Sequence, residues 1–233
     1  MRHLALRIAP ALVSAASLFA AALGLAPAAQ AAGLEFKVVT LQARKCGEAC
    51  PQVITAEGDI DEAAPERFLS FIRATVRDKR VKNVVFLHSP GGQVVSALKL
   101  GLNMRQFGTA VVVARVRPGS SDDPNGQFGA GRCMSACVFV LMGGKRRVVP
   151  SQSLVGIHRM FREDFSYDPG GERNKKHEKL FASGTMVDVI NRYAGVMGVS
   201  RELVTEAEKV SPDDIHIVTR AEMARWRLGL PKL

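Results

Sequence analysis

Three short stretches carry side chains suited to acyl-transfer chemistry: "RCMSACVFVLMGG" (Arg132–Gly144), "HSPGG" (His88–Gly92) and "SLVGIH" (Ser153–His158). In the first, Ser135 stands between Cys133 and Cys137, two residues away on each side, at the head of a wholly apolar run. Such a hydroxyl can cap the following helix. It can also be a nucleophile on a sharp strand-to-helix turn, which closes only if its i−2 and i+2 neighbours are small. In the second stretch, paired glycines let the backbone approach a ligand, and their N–H groups can face a negative oxygen. A plain Pro-Gly turn would leave the same trace. In the third, His158 ends an apolar run, either as a structural histidine or as a general base for Ser135. A base of that kind needs a group to orient its ring. Asp213 and Asp214, in "SPDDIHIV", are late candidates for that role, and turn chemistry after Ser211-Pro212 accounts for them equally well.

The elements that must position these residues alternate between strand and helix. "LEFKVVTLQ" (Leu34–Gln42) and "QVITAEGDI" (Gln52–Ile60) read as strands. Asp61 can cap a helix whose apolar positions Phe68, Leu69, Ile72 and Val76 recur at helical spacing. "VKNVVFLHS" reads as a strand buried on both faces and leads through Pro90-Gly91-Gly92 into a helix from about Val94 to Phe107. "TAVVVARV", "RRVVP" and "SLVGIHR" supply further strands, and the polar segment Arg117–Gly131 reads as a loop. After His158, "REDFSYDPGGERNKK" reads as a loop and Glu172–Lys179 as a solvated helix start. An amphipathic helix follows over Leu180–Met197, then one capped by Ser200 and running through Lys209. "DDIHIV" is a last strand, and Thr219 to Glu222 forms a capping box for a final helix that stops at Gly229. The class is α/β, with no domain boundary inside residues 32–233.

The first 31 residues read as a secretory signal peptide: Arg2 and Arg7, the apolar stretch Ile8–Leu25, and Ala29-Gln30-Ala31 as cleavage site. The expected mature chain, residues 32–233, is one exported domain in a bacterial periplasm, with no stable membrane insertion. The formal net charge of +10 comes from scattered basic residues with few aromatics among them, so no nucleic-acid partner is expected. An oxidising compartment invites disulfides. Cys46 and Cys50, in the loop "CGEACP", are expected to pair. Cys133 and Cys137 are expected to stay reduced, because two cysteines on one regular helix are poorly placed for a bridge. Neither pair has the C-x-x-C spacing of a thiol-redox protein, and no histidines accompany Cys46 and Cys50 as zinc ligands.

The succession "HSPGG", helix, "VVVARV", "CMSAC", "VLMGGKRRVVPSQSLVGIHR" is similar to the proteolytic subunit of the Clp protease, within the Clp-protease/crotonase fold of repeated β-β-α units. The similarity runs from about Val53 to Leu230, with "TAEGDIDEAAPERF" at its start and "TRAEMARWRLGL" at its end. The resemblance implies Ser135 as nucleophile, His158 as base, and an oxyanion hole from the backbone N–H groups of Gly92 and Ala136. It calls for neither metal nor cofactor. Peptides or unfolded chains are the expected substrates, since an exported protein has no ATP-driven unfoldase beside it. A homo-oligomer stays open, but Arg117–Gly131 is an insertion and the segment after His158 departs from the family's handle, so a sealed ring is not expected. The family's third residue falls within "KVSPDDIHIV", where a gap-free match places Ser211 rather than an aspartate. Asp214, with Asp213 as its alternative, is the expected acid. The expectation is an exported serine hydrolase, most naturally a peptidase. Its rivals are a binding protein that kept the cleft without a competent triad, and a crotonase-type acyl-CoA enzyme, which an exported location disfavours.

Overall fold

A computed structural model describes residues 33–41, 50–75, 77–116, 128–166 and 176–229; for 162–166 and 176–179 only the backbone is described. Residues 1–31, read above as a signal peptide, and Cys46 lie outside the described residues.

The chain is a mixed α/β fold with parallel and antiparallel strands. Its main sheet is built on β2 (Gln52–Glu57), β3 (Val81–His88), β4 (Ala110–Val116) and β7 (Arg146–Val148), all parallel. β1 (Glu35–Thr40) pairs antiparallel with β2 on one side, and β5 (Phe128–Ala130) with β4 on the other. The apolar core of β3 and β4 explains this order. Val85, Leu87, Val111 and Val113 are fully buried, as parallel strands covered on their faces require. The first half of β3 departs from the expectation, since Lys82 and Asn83 are exposed.

Helices α1 (Ala64–Thr75), α2 (Val94–Gln106) and α3 (Cys137–Gly143) supply the crossovers. Asp61 accepts a hydrogen bond from the Ala63 N–H (3.0 Å) and pairs with Arg67, so it anchors the start of α1 as expected. A second sheet runs in the order β11 (His216–Ile217), β8 (Leu154–Ile157), β6 (Arg132–Met134), with β6 and β8 parallel. One residue stitches the two sheets. Ser89, just past β3, bridges to Cys133, donating its N–H to the Arg132 carbonyl and accepting from the Met134 N–H.

Beyond His158 the sequence reading is corrected. β9 (Phe161–Ser166) and β10 (Lys176–Phe181) form an antiparallel pair where a loop and a helix start were expected. The polar segment has no apolar helical face, and cross-strand pairing satisfies its backbone instead. α4 (Gly184–Val196), α5 (Glu202–Ala207) and α6 (Arg220–Arg225) follow near their expected places. α4 begins at the Ser183 cap, later than the apolar spacing suggested, and α6 carries the Thr219–Glu222 capping box.

Candidate active site

Three strands deliver the residues singled out above to one place. Ser135 follows the end of β6, Gly91 and Gly92 follow β3, and His158 follows β8. Ser135, Gly92, Ala136 and His158 all line one cavity of about 250 Å³. Its wall is apolar, with Val138 and Phe139 from α3 and Leu203, Val204 and Ala207 from α5. A larger groove, of about 1320 Å³, shares Gly92, Val94, Met160 and Phe161 with it.

Ser135 has φ +53°, the left-handed region that side chains other than glycine rarely adopt. The turn is held by main-chain bonds: Ser135 N–H donates to the Gly156 carbonyl (2.9 Å), and its own carbonyl accepts from Val138 N–H (3.0 Å). No side chain caps α3, whose N-cap is Ala136, so the hydroxyl of Ser135 is not spent as a cap. A residue held in this conformation at the mouth of a cavity is the geometry that a strand-to-helix nucleophile turn requires.

The glycine loop is shaped to meet that turn. The buried Ser89 hydroxyl accepts from the Gly91 N–H (3.1 Å), closing a Ser-turn that the "SPG" spacing signals and that the sequence reading passed over. Gly91 has φ +115°, and a Cβ there would lie 2.9 Å from Cβ of Ser135 and 2.8 Å from the Met134 carbonyl. Only glycine permits this approach. Gly92 bridges to Ile60 through its neighbours, with Ile60 N–H donating to Gly91 and Gln93 N–H to Ile60. The alternation of a parallel bridge leaves the N–H of Gly92 itself pointing away from Ile60. Among the described residues neither the Gly92 nor the Ala136 N–H has a protein acceptor. Two free donors beside a serine are what an oxyanion hole needs.

Cys133 and Cys137 correct the sequence reading. They form a disulfide, with Cα atoms 5.2 Å apart, and both are fully buried. The expectation of free thiols holds only if both lie on one regular helix. Cys133 instead lies within β6, Cys137 opens α3, and the turn at Ser135 between them leaves the two cysteines within bridging distance. Cys50 is also disulfide-bonded.

His158 is half-buried, with its ring 5.8 Å from that of Phe161. Its Nδ1 lies 2.8 Å from the Arg159 carbonyl oxygen. A carbonyl only accepts, so Nδ1 carries the hydrogen and the Nε2 lone pair stays open. Among the described residues His158 is hydrogen-bonded to neither Asp213 nor Asp214, and both aspartates are exposed. Ser211 is likewise exposed, its hydroxyl accepting from the Asp213 N–H (3.3 Å). Among the described residues no hydrogen bond joins Ser135 and His158; such contacts commonly tighten only around a substrate.

Two further groups support the site from behind. Tyr193 donates to the Phe139 carbonyl (2.7 Å) in α3, and burial pushes its phenol far above the ordinary value. His88 accepts the Arg132 N–H at Nδ1 (3.0 Å), which sets β6 against β3; burial, with Arg115 nearby, pushes the imidazole below its ordinary value. Among the described residues no cluster of His, Cys, Asp or Glu is placed to hold a metal ion.

No family model and no curated protein matches the chain. Solved structures do. A 1510-N membrane-bound stomatin-specific protease variant is similar at 14% identity and TM-score 0.47, over 73% of this chain and 72% of that one. A second variant of that protease, in complex with a substrate peptide, is similar at 14% identity and TM-score 0.46, over 76% and 70%. ClpP1 from Listeria monocytogenes is similar at 16% identity and TM-score 0.44, over 76% and 88%.

Proposed function

We propose that the protein is an exported serine hydrolase acting on peptides or unfolded chains. The observation that carries this reading is the Ser135 turn: a hydroxyl at φ +53° that caps nothing and shares one cavity with His158. In this reading Ser135 Oγ attacks the acyl carbon while Nε2 of His158 takes its proton, later returning it to the leaving group. The N–H groups of Gly92 and Ala136 hold the developing oxyanion. The apolar wall from α3 and α5 favours an apolar side chain on the acyl side of the scissile bond. Export is supported by the signal-like first 31 residues and by disulfides, which an oxidising compartment allows to persist.

The test is one preparation and one probe. Protein recovered from the periplasmic fraction should begin at Ala32 and react with a fluorophosphonate. Ser135→Ala and His158→Ala, shown folded by circular dichroism, should lose labelling. A folded wild type that does not label, or a Ser135→Ala that labels equally, would establish the binding-protein reading in place of the hydrolase. A mature chain that still carries residues 1–31 would remove the export claim.

A further inference from the structure

We propose that the Arg159 carbonyl, rather than an aspartate, orients His158, and that Glu208 is the positioning residue that fixes this carbonyl. The inference deepens the hydrolase reading, since it rests on His158 as the base for Ser135.

The Arg159 carbonyl and the Met160 N–H belong to one peptide unit. No peptide bond in the described residues is cis, so the two groups point to opposite sides of that plane. On one side the carbonyl oxygen accepts from Nδ1 of His158 at 2.8 Å. On the other, the Met160 N–H donates to Oε1 of Glu208 at 3.3 Å. Glu208 therefore grips the far edge of the plane that holds the ring. Rotating the plane to release the imidazole would also break the carboxylate contact. The preceding peptide is pinned as well, because Arg159 N–H donates to the Val210 carbonyl at 2.9 Å. The Arg159 side chain adds a third tie, its Nε 3.4 Å from Oε2 of Glu208 and its guanidinium 4.2 Å over the Phe181 ring.

This arrangement does electrostatically what a directly bonded carboxylate does, at one remove. A negative charge on the N–H of a peptide polarises its carbonyl oxygen, which becomes a stronger acceptor for Nδ1–H. When His158 takes a proton from Ser135, the imidazolium faces an oxygen backed by Glu208. Only 19% of the Glu208 side chain is exposed, so water screens it little. Glu208 closes α5, the helix whose Leu203, Val204 and Ala207 line the cavity, so one short helix sets both the apolar wall and the base.

The experiment compares the full mature chain with Glu208→Gln, Glu208→Ala and Asp214→Asn, each checked for folding. The readouts are the imidazole ¹⁵N shifts of His158, which report the tautomer, and the second-order rate of fluorophosphonate labelling. Wild type should show the Nδ1–H tautomer. Glu208→Gln, whose amide oxygen still accepts from Met160 N–H, should keep it. Glu208→Ala should mix the tautomers and slow labelling roughly 10- to 100-fold. An Nε2–H tautomer in wild type would overturn the proposal, whatever the variants do. So would unchanged shifts and rate in Glu208→Ala, or an Asp214→Asn that moves the ring while Glu208→Ala does not. If the tautomer pattern holds but wild type does not label, the positioning inference stands and the hydrolase reading falls. Should Glu208→Ala fail to fold, Glu208→Gln decides through the rate: loss of the carboxylate charge should slow labelling while the tautomer is kept, and an unchanged rate overturns the role given to Glu208.

Discussion

The two walls of the cavity are held by different kinds of force. On the Ser135 wall the fixing contacts are close backbone packing and one covalent bridge. Gly91 packs onto the serine turn, Gly143 at the end of α3 packs onto Gly101 of α2, and the Cys133–Cys137 bridge spans the turn. All seven residues of α3 are buried. On the His158 wall the fixing contacts are polar and partly exposed: one peptide plane, one carboxylate and one arginine, beside the β9–β10 pair. Geometry held by close-packed backbone fails through steric collision and loss of stability. Geometry held by a few hydrogen bonds can lose orientation while the fold survives. The Ser135 side should thus answer to mutation mainly in stability, and the His158 side mainly in the rate of probe labelling.

The largest effect that would sharpen this contrast is at Gly143. A Cβ there would collide with the backbone of Gly101, which cannot move aside as a side chain could. Gly143→Ala should cost about 3 kcal/mol of stability in urea unfolding. Glu208→Ala, on the other wall, should move the urea midpoint far less. Equal shifts from the two variants would erase the distinction between the walls.

Next in size is the disulfide. Cys133 and Cys137 are separated by four positions in the chain. Closing so short a loop is worth about 2 kcal/mol in the chain-entropy account. Cys133→Ala with Cys137→Ala should lose about that much and should also slow labelling, because the turn that aims Ser135 is no longer braced. Thiol titration of denatured, unreduced wild type should find neither cysteine free. Unchanged stability and labelling in the double variant would show that backbone packing alone holds the turn.

The smallest effect has the opposite sign. Ser135 occupies a left-handed conformation that glycine adopts without penalty. Ser135→Gly should therefore gain roughly 0.5 kcal/mol, after allowing for glycine's extra freedom in the unfolded chain, while abolishing labelling. Stabilisation joined to loss of function would mark the strain as serving the site. A destabilised Ser135→Gly would mean that the hydroxyl supports the fold.

Much of this arrangement was legible in local sequence. The valine-rich runs at β3 and β4, the Asp61 anchor of α1 and the Thr219–Glu222 capping box are short-range signals, and each formed where its residues lie. The glycines of "HSPGG" and the serine of "CMSAC" likewise announced tight turns at strand ends, because positive φ and close approach restrict which residues fit. Other features depended on partners distant in the chain. Phe128–Ala130 became a strand because β4 offered an open edge and Phe86 a ring to stack on, 5.2 Å away. Lys176–Phe181 became a strand, against its composition, because Phe161–Ser166 lay alongside. The cysteine bridge is not legible in spacing because it depends on the left-handed turn at Ser135, which is tied to Gly156 across the second sheet through the Ser135 N–H. The Glu208 contact had no sequence signal at all. Hydrogen bonding between α5 and the segment after β8 is a matter of two elements meeting in space, and side-chain spacing along one chain cannot encode where a second element will arrive.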